Sequence, residues 1–321
     1  MNSGNIKILS IAALTTISLN SISSTGVKEV VSTIVNSTFN TIESTLNSSV
    51  NKYANQFGSG ETQVSISNIQ SGDVSFDITT VQPLTQTDNK SETLFFQGSL
   101  NSYKNHGESR PTINLGIGKR WLGDENTTIT GVNAFYDYES KSNHSRASIG
   151  AEYKKSAFEA GTNIYWGLTG KKSVTVNGIA EDEQVLDGWD INAKGQLPYL
   201  PWARLTANHY KWKKSDNSTI DGGKYGLEFD INSMATLEVG TQNDNEMNRS
   251  SYVTLSYEFG PESKPTNFAI DSVAFRDGED MTDHLLDKVK RQNKIITSRA
   301  SSDSTNDCGG ILVDGICYLM D

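Results

Sequence analysis

Residues 158–168 read FEAGTNIYWGL, and two kinds of side chain alternate along them. One set is apolar or small and comprises Phe158, Ala160, Thr162, Ile164, Trp166 and Leu168. The other set comprises Glu159, Gly161, Asn163, Tyr165 and Gly167. A period of two residues predicts a β-strand with one apolar face and one mostly polar face.

The same alternation recurs along the chain between Gly58 and Phe259 and predicts about twelve strands. They fall near residues 62–70, 72–84, 92–103, 111–122, 127–138, 144–154, 157–168, 187–197, 202–213, 223–231, 234–242 and 250–259. The number is even, so an up-and-down sheet returns the chain to the side on which it began.

Alternation alone does not distinguish a soluble β-sandwich from a membrane barrel whose apolar face meets lipid. Three features favour the barrel. Most strands are about 9 to 13 residues long, as a tilted membrane strand requires. Minimal turns such as Asn232-Ser233 alternate with long connections such as residues 169–186. Aromatic residues concentrate near strand ends, as they do at membrane interfaces. The prediction is an all-β fold, a twelve-stranded antiparallel transmembrane β-barrel of the outer membrane, preceded by a short helix and followed by a linker helix and a short tail.

Composition excludes several classes of protein. The chain has 321 residues and a formal net charge of −10, which argues against a nucleic-acid binder. No stretch approaches the roughly 20 apolar residues of a membrane helix. The four histidines lie far apart and the two cysteines lie together near the C-terminus, so no zinc spacing can be assembled. Gly116-Ile-Gly118 lacks the third glycine of a dinucleotide fingerprint. We expect no catalytic residues, no metal and no cofactor.

The N-terminus has the order of a secretory signal: Lys7, an apolar run from Ile8 to Leu19, then small polar residues. We therefore expect a signal peptide over residues 1–24. Apolar residues recur every three or four positions from Val27 to Ala54, which predicts a periplasmic helix over residues 25–58. For residues 1–24 the alternative is a buried helix of a cytosolic protein. For residues 25–58 the alternative is a linker.

Glycines concentrate on the polar face of the predicted barrel, which spans residues 59–260. A twelve-stranded lumen lies between the filled barrel of eight strands and the open channel of sixteen, and glycines on its wall would widen it enough for one extended chain. Relief of strand curvature is the alternative explanation. The lumen-lining glycines are Gly116, Gly118, Gly131, Gly150, Gly161, Gly167, Gly226 and Gly240.

Several motifs resemble the β-domain of inverse autotransporters, the intimin and invasin family. They are LFFQGSL at 94–100, TINLGIG at 112–118, GVNAFYD at 131–137, GAEY at 150–153, LPYLP at 197–201 and, ahead of them, VNKYANQFG at 50–58. Residues 287–295, DKVKRQNKI, resemble the family's linker from barrel to passenger, with Asp287, Val289, Arg291, Asn293 and Ile295 as the linker motif.

The resemblance implies a barrel whose C-terminal segment threads the lumen and emerges at the cell surface, where family members carry adhesive domains. It also implies outer-membrane lipid, the barrel-assembly machinery and periplasmic chaperones as partners. About twenty-five residues follow Ile296, too few for immunoglobulin-like repeats, and no peptidoglycan-binding module precedes the helix. Adhesion and the surface ligand are therefore left open.

The segment after the barrel, residues 261–299, is predicted to contain a helix that begins at Asp280 and carries an apolar stripe of Met281, Leu285 and Val289. Its basic half could pair with luminal acids and plug the pore, and the candidate acids are Glu152, Glu159, Glu228 and Glu258. A solvated periplasmic helix is the alternative.

Residues 300–321 form a polar spacer followed by Cys308 and Cys317, which could close a small disulfide loop in an oxidising compartment. In the connection 169–186, the acids Glu181, Asp182 and Glu183 favour an exposed acidic loop over a calcium site.

Three functions compete. The first is an outer-membrane anchor and translocator that exports or displays a short C-terminal passenger. The second is a porin-like channel with a periplasmic tail. The third is a barrel hydrolase with a Ser145–His144 pair, which is disfavoured because adjacent residues of a strand point to opposite faces.

Overall fold

The computed structural model describes residues 60–68, 74–105, 108–176, 179–259, 268–276, 278–301, 310–313 and 316–319. The expected signal peptide (1–24) and N-terminal helix (25–58) lie outside these residues. Within the described part of the chain, no helix is both long enough and apolar enough to cross a membrane.

Twelve strands form a closed antiparallel barrel in which each strand pairs with its neighbours, and the first strand pairs with the last to close it. The barrel strands are β1 (Glu61–Ser67), β2 (Ser75–Gln86), β3 (Glu92–Asn105), β4 (Glu108–Gly123), β5 (Thr128–Glu139), β6 (His144–Lys155), β7 (Phe158–Gly167), β10 (Asp187–Leu197), β11 (Leu200–Lys213), β12 (Thr219–Asp230), β13 (Ala235–Asp244) and β14 (Ser250–Phe259). The predicted twelve-stranded barrel is confirmed.

The two faces of each strand have the orientation of a membrane barrel. In β7, Ile164 is 45% exposed whereas its neighbour Asn163 is 2% exposed. The same contrast holds in β4, where Ile113, Leu115 and Ile117 are exposed and Asn114 is buried. Apolar side chains therefore point outward and polar ones inward, so the soluble sandwich is wrong.

The barrel has two unequal ends. We call the end that carries Glu61 and Phe259 the terminal rim, and there the strands are joined by the short turns 87–91, 124–127, 156–157, 198–199 and 231–234. The opposite end, the loop rim, carries the connections 68–74, 106–107, 140–143, 168–186, 214–218 and 245–249. The terminal rim has only turns of two to five residues, whereas the two longest connections, 68–74 and 168–186, lie at the loop rim. The predicted alternation of short turns with long loops holds only in part, because 106–107 and 140–143 at the loop rim are also short.

The connection 168–186 is not the exposed acidic loop that we expect from its composition. It contains a hairpin of β8 (Lys172–Val176) and β9 (Ile179–Val185), and β9 also pairs with β15 (Thr297–Ser301). Glu183 lies on β9 and is buried, because strand pairing turns its side chain toward Arg110, His144 and Arg299 of neighbouring elements.

The chain after the barrel enters the lumen from the terminal rim. The backbone N–H of Met281 donates to the carbonyl of Asn126, in a terminal-rim turn. A 3-10 helix follows over Thr282–Leu286, and beyond it the chain is extended. The predicted linker helix from Asp280 is therefore wrong beyond one turn.

The physical reason is that the barrel wall supplies partners for an extended backbone. Val289 N–H donates to Gln97 Oε1 at 2.8 Å, and Gln292 N–H donates to the Tyr165 hydroxyl at 2.7 Å. An α-helix would satisfy these backbone groups internally and would not need the wall groups. With its side chains it is also about 10 Å wide, which is wider than an extended chain. The alternative, a solvated periplasmic helix, is also wrong, because this stretch lies in the lumen.

The last described residues form a hairpin of β16 (Gly310–Val313) and β17 (Ile316–Leu319). Cys308 lies outside the described residues, so the disulfide to Cys317 stays a prediction.

Candidate functional site

Residues 287–296, which we call the luminal segment, cross the barrel from rim to rim. Just before it, the carbonyl of Leu285 accepts from Arg120 Nη1 at 2.8 Å, near the terminal end of β4. At its far end, the carbonyl of Ile295 accepts from the Tyr103 hydroxyl at 2.8 Å, near the loop-rim end of β3. The segment therefore spans the lumen in one extended pass.

Every second residue of this segment faces the wall formed by β2 to β6. The five residues are those of the linker motif, Asp287, Val289, Arg291, Asn293 and Ile295. The Asp287 carboxylate accepts from Lys154 Nζ at 3.0 Å, and Asn293 Nδ2 donates to Asp77 Oδ2 at 3.1 Å. Ile295 is fully buried. Extended geometry, with its period of two, is what brings all five to one side.

Arg291 makes the strongest contacts of the segment. Its Nη1 and Nη2 donate to the two carboxylate oxygens of Asp137 at 2.9 and 2.7 Å, and Nη2 also donates to Ser148 Oγ at 2.9 Å. Its guanidinium lies 4.2 Å from the ring centroid of Phe135. The ion pair is fully buried on both sides. Bidentate geometry and a stacked aromatic ring are what arginine, and not lysine, can use.

Asp137 is the centre of a larger network. Arg146 Nε donates to Asp137 Oδ2 at 2.9 Å and Asn114 Nδ2 donates to Oδ1 at 2.7 Å. Arg146 also donates to the carbonyls of Lys294 and Gln292, at 2.9 and 2.5 Å. Barrel residues therefore hold both the side chain and the backbone of the segment.

Backbone contacts are numerous and do not depend on the side chain that the segment carries. Asn163 Nδ2 and Asn192 Nδ2 donate to the carbonyl of Lys290, at 3.0 and 3.2 Å. With the contacts of Gln97, Tyr165 and Arg146, they satisfy the polar groups of a chain that has no strand partner inside the barrel. Such a wall can hold an extended polypeptide.

Two apolar clusters hold the entry of the segment. Leu286 and Val289 pack with Val81, Phe95 and Phe135, while Met281 and Leu285 pack with Ile129. The predicted apolar stripe of Met281, Leu285 and Val289 is therefore buried against the barrel wall, although the chain that carries it is mostly extended.

The eight polar-face glycines make room for inward side chains of neighbouring strands. A Cβ on Gly116 would overlap the ring of Phe135, and one on Gly118 would overlap the ring of Phe95. A Cβ on Gly226 would lie 2.6 Å from the Tyr252 hydroxyl. At the remaining positions the nearby side chains are Glu152 for Gly131, Asn163 for Gly150, Asn192 for Gly161, Val185 for Gly167 and Tyr252 for Gly240. These glycines therefore leave space for side chains that a Cβ would displace.

Only part of the predicted pairing between tail cations and luminal acids occurs. Lys290 Nζ lies 2.9 Å from Glu159 Oε2, as expected. Glu152 instead pairs with Arg120 at 2.7 Å, and Glu228 pairs with Lys194 at 3.0 Å, both within the wall. The main partner of the tail, Asp137, is not among the predicted acids.

A second ionic cluster lies where the segment leaves the barrel. Glu183 of β9 contacts Arg110, the His144 Nε2 at 3.2 Å and the Arg299 Nε at 2.7 Å. Burial alone would raise the pKa of the Glu183 carboxyl, but hydrogen bonds from His144, Arg110 and Arg299 outweigh it and hold that pKa well below its usual range. This cluster fixes β15 on β9.

The hydrolase pair does not form. His144 is buried and its Nδ1 lies 2.9 Å from the Thr169 hydroxyl, whereas the Ser145 hydroxyl bonds to that of Tyr136 at 2.9 Å. Among the residues that the structure describes, no group of three or more histidine, cysteine or acidic side chains could hold a metal ion.

A cavity of about 760 Å³ remains beside the luminal segment. Its lining includes Lys194, Glu228, Lys224 and Tyr252 of β10, β12 and β14. The segment thus occupies one side of the lumen and leaves polar space on the other.

Comparison with known proteins bears on this arrangement. A family model described as the inverse autotransporter β-domain matches residues 13–293. An attaching and effacing protein homolog of Escherichia coli strain K12 is 33% identical over 122 residues, which are 38% of this chain and 38% of that protein. The inverse autotransporter adhesin YeeJ of the same strain is 34% identical over 94 residues, 29% of this chain and 4% of YeeJ. The matches therefore span less than half of either relative.

A solved structure from work on the in-meso crystallization of membrane proteins has the same fold. It superimposes with a TM-score of 0.61 at 19% identity, covering 75% of this chain and 99% of that one.

Proposed function

The chain belongs to the inverse autotransporter β-domain family, and from this premise we propose that its barrel exports or displays at the cell surface the residues that follow the luminal segment. Membership places the chain in the bacterial outer membrane as a non-enzymatic barrel anchor. Export and display go beyond membership and rest on the path of the chain.

The observation that carries the proposal is the single extended pass of residues 287–296 from the terminal rim to the loop rim. An even strand count puts the start and the end of the barrel on one side of the membrane, which we take as the periplasm, as short turns are periplasmic in such barrels. A chain that leaves by the loop rim then emerges outside.

The mechanism is passive. Wall groups such as Gln97, Tyr165 and Arg146 bond to the backbone of the segment, and the Arg291–Asp137 pair fixes its register. Once in place, the segment is a fixed tether between the barrel and whatever follows it. We propose that lipid, the barrel-assembly machinery and periplasmic chaperones are the partners during assembly.

We further propose that the displayed residues serve adhesion, since YeeJ is an adhesin by name. A Cys308–Cys317 disulfide would close a compact loop at the exposed end.

Protease treatment of intact cells tests display. An epitope tag after Asp321 should be lost, whereas the same tag in the terminal-rim turn 232–233 should survive until the cells are opened. A tail tag that survives in intact cells, with a turn tag that is lost, would reverse the assigned sidedness and overturn the proposal.

A second candidate function, passage of ions and small solutes, is favoured by the cavity beside the segment. It predicts a small ohmic current in planar bilayers from the intact chain and a larger one after deletion of residues 279–321. An intact chain that passes no current would exclude this function and would mean that the luminal segment closes the pore.

A further inference from the structure

Residues 268–276, which we call the rim segment, carry four apolar side chains that are about half exposed or more. Phe268 is 58% exposed, Ile270 77%, Val273 52% and Phe275 49%. The four lie within eight consecutive residues, outside every strand. A water-facing segment of a folded protein rarely carries a group of this size without a partner.

The segment is fixed to the terminal rim by hydrogen bonds to the β10–β11 turn and its neighbours. Tyr199 N–H donates to the carbonyl of Ala274, and Asp271 N–H donates to the carbonyl of Tyr199, both at 2.8 Å. Trp202 Nε1 donates to the carbonyl of Ala269 at 3.0 Å. The exposed side chains are therefore held in place by an ordered backbone.

The polar groups of the segment are satisfied locally. Asp271 accepts from Arg276 Nε at 2.7 Å and from the backbone N–H of Ser272 at 2.7 Å. The Ser156 hydroxyl donates to the carbonyl of Arg276. Burying the apolar side chains would leave these bonds intact, so the segment is suited to an interface that is apolar on one side and polar on the other.

One end of the segment continues the lipid-facing surface of the barrel. The ring of Phe268 packs edge-on against Trp202, with centroids 5.1 Å apart, and Trp202 lies 6.3 Å from Phe229. On the same face of β12, Tyr225 and Leu227 are exposed apolar residues of the membrane belt. The rim segment thus extends an apolar surface that already meets lipid.

We propose that the rim segment is a membrane-interface anchor, in which Phe268, Ile270, Val273 and Phe275 insert into the phospholipid leaflet at the terminal rim. It would tether the chain to the membrane beside the point at which that chain turns into the lumen. The proposal concerns a different surface from the one used for display, and it would hold whether or not the tail reaches the cell surface.

The test uses full-length chain with Cys308→Ser and Cys317→Ser, refolded into phosphatidylcholine vesicles, and an environment-sensitive NBD fluorophore on a single cysteine. The test position is Ile270→Cys. The matched control in the same segment is Ser272→Cys, an exposed polar position, and the lipid reference is Leu205→Cys on the outer face of β11. Each labelled barrel is first checked for its shift on SDS gels between unheated and heated samples.

Phosphatidylcholine with brominated chains should quench the fluorophore at 270 to within about twofold of that at 205, and aqueous iodide should not. The fluorophore at 272 should behave in the opposite way. Iodide quenching at 270 would place the segment in water and overturn the proposal. Protection at 270 from both quenchers would mean that protein covers the segment, and it would overturn the proposal as well.

Discussion

Replacing Arg291 with methionine should loosen the luminal segment without unfolding the barrel. Arg291→Met removes two charge-assisted hydrogen bonds to Asp137, one to Ser148 and the contact with the Phe135 ring. Methionine keeps most of the apolar volume. Asp137 retains Arg146 and Asn114, so its carboxylate is not left without a partner.

The size of the effect follows from this geometry. Breaking a buried ion pair by removing one partner costs about 3 to 5 kcal/mol when the other charge is abandoned. Because Asp137 keeps two partners, we expect about 2 to 4 kcal/mol. At about 1.4 kcal/mol per tenfold, that is roughly a 30- to 700-fold rise in the population of the released segment.

Hydrogen exchange measured by mass spectrometry reports this population directly, since local opening exposes the protected N–H groups of Val289 and Gln292. Peptides that cover residues 287–296 should exchange faster by roughly two orders of magnitude, and peptides from β4 to β6 should not change. The control is Lys288→Met, which removes the same charge from a neighbouring position. Within the described residues, Lys288 makes no ion pair.

Two results would refute this reasoning. Exchange in Arg291→Met that stays within threefold of the Lys288→Met control would mean that backbone contacts alone hold the segment. Faster exchange throughout the barrel strands would mean that the Arg291 network stabilises the barrel and not the segment in particular.

Three further variants test other parts of the structure. Gly116→Ala should cost about 1 to 3 kcal/mol because its Cβ would overlap the Phe135 ring, whereas Gly170→Ala, with no atom within 4 Å, should be nearly neutral; urea unfolding in vesicles measures both. Glu183→Leu removes the carboxylate that Arg110 and Arg299 share, and because Arg110 keeps Glu139 we expect a cost of about 2 to 4 kcal/mol and a loss of exchange protection at residues 297–301; protection equal to wild type would contradict the role of the ionic cluster. Ile149→Lys puts a charge in the middle of the lipid face and should lower the free energy of unfolding in vesicles by about 2 to 4 kcal/mol; an unchanged value would mean that this face does not meet lipid.

The strands were predictable because each carries its own signal. In β7 the alternation of Phe158, Ile164 and Trp166 with Asn163 and Tyr165 is complete within ten residues. Strand ends shift by a few residues, as in β12, which begins at Thr219 because pairing with β11 extends it toward the loop rim. The barrel thus follows from local pattern.

The state of the tail was not predictable in the same way. Met281, Leu285 and Val289 recur every four residues, which fits a helix, while residues 287–295 also alternate with a period of two. The wall decides, because Gln97, Tyr165 and Arg120 offer partners that an extended chain needs and a helix does not.

The ionic partners lie too far apart in sequence to be inferred. Arg291 and Asp137 are 154 residues apart, and Arg110 and Glu183 are 73 apart. Each acid reads locally as one more polar residue on a strand or loop. Only the positions of their strands around the closed barrel determine which acid meets which arginine.

The strand number, the outward direction of the apolar faces and the family followed from the amino-acid sequence alone. These depend on neighbours two to ten residues apart, and the membrane acts on each strand separately. Tertiary structure alone decided that residues 287–296 are extended, that Asp137 and not a glutamate binds Arg291, and that β15 pairs with β9. Those outcomes arise from groups that meet only after the barrel closes, when the side of the segment that lies against the wall is buried and the wall must supply hydrogen-bond partners for its backbone.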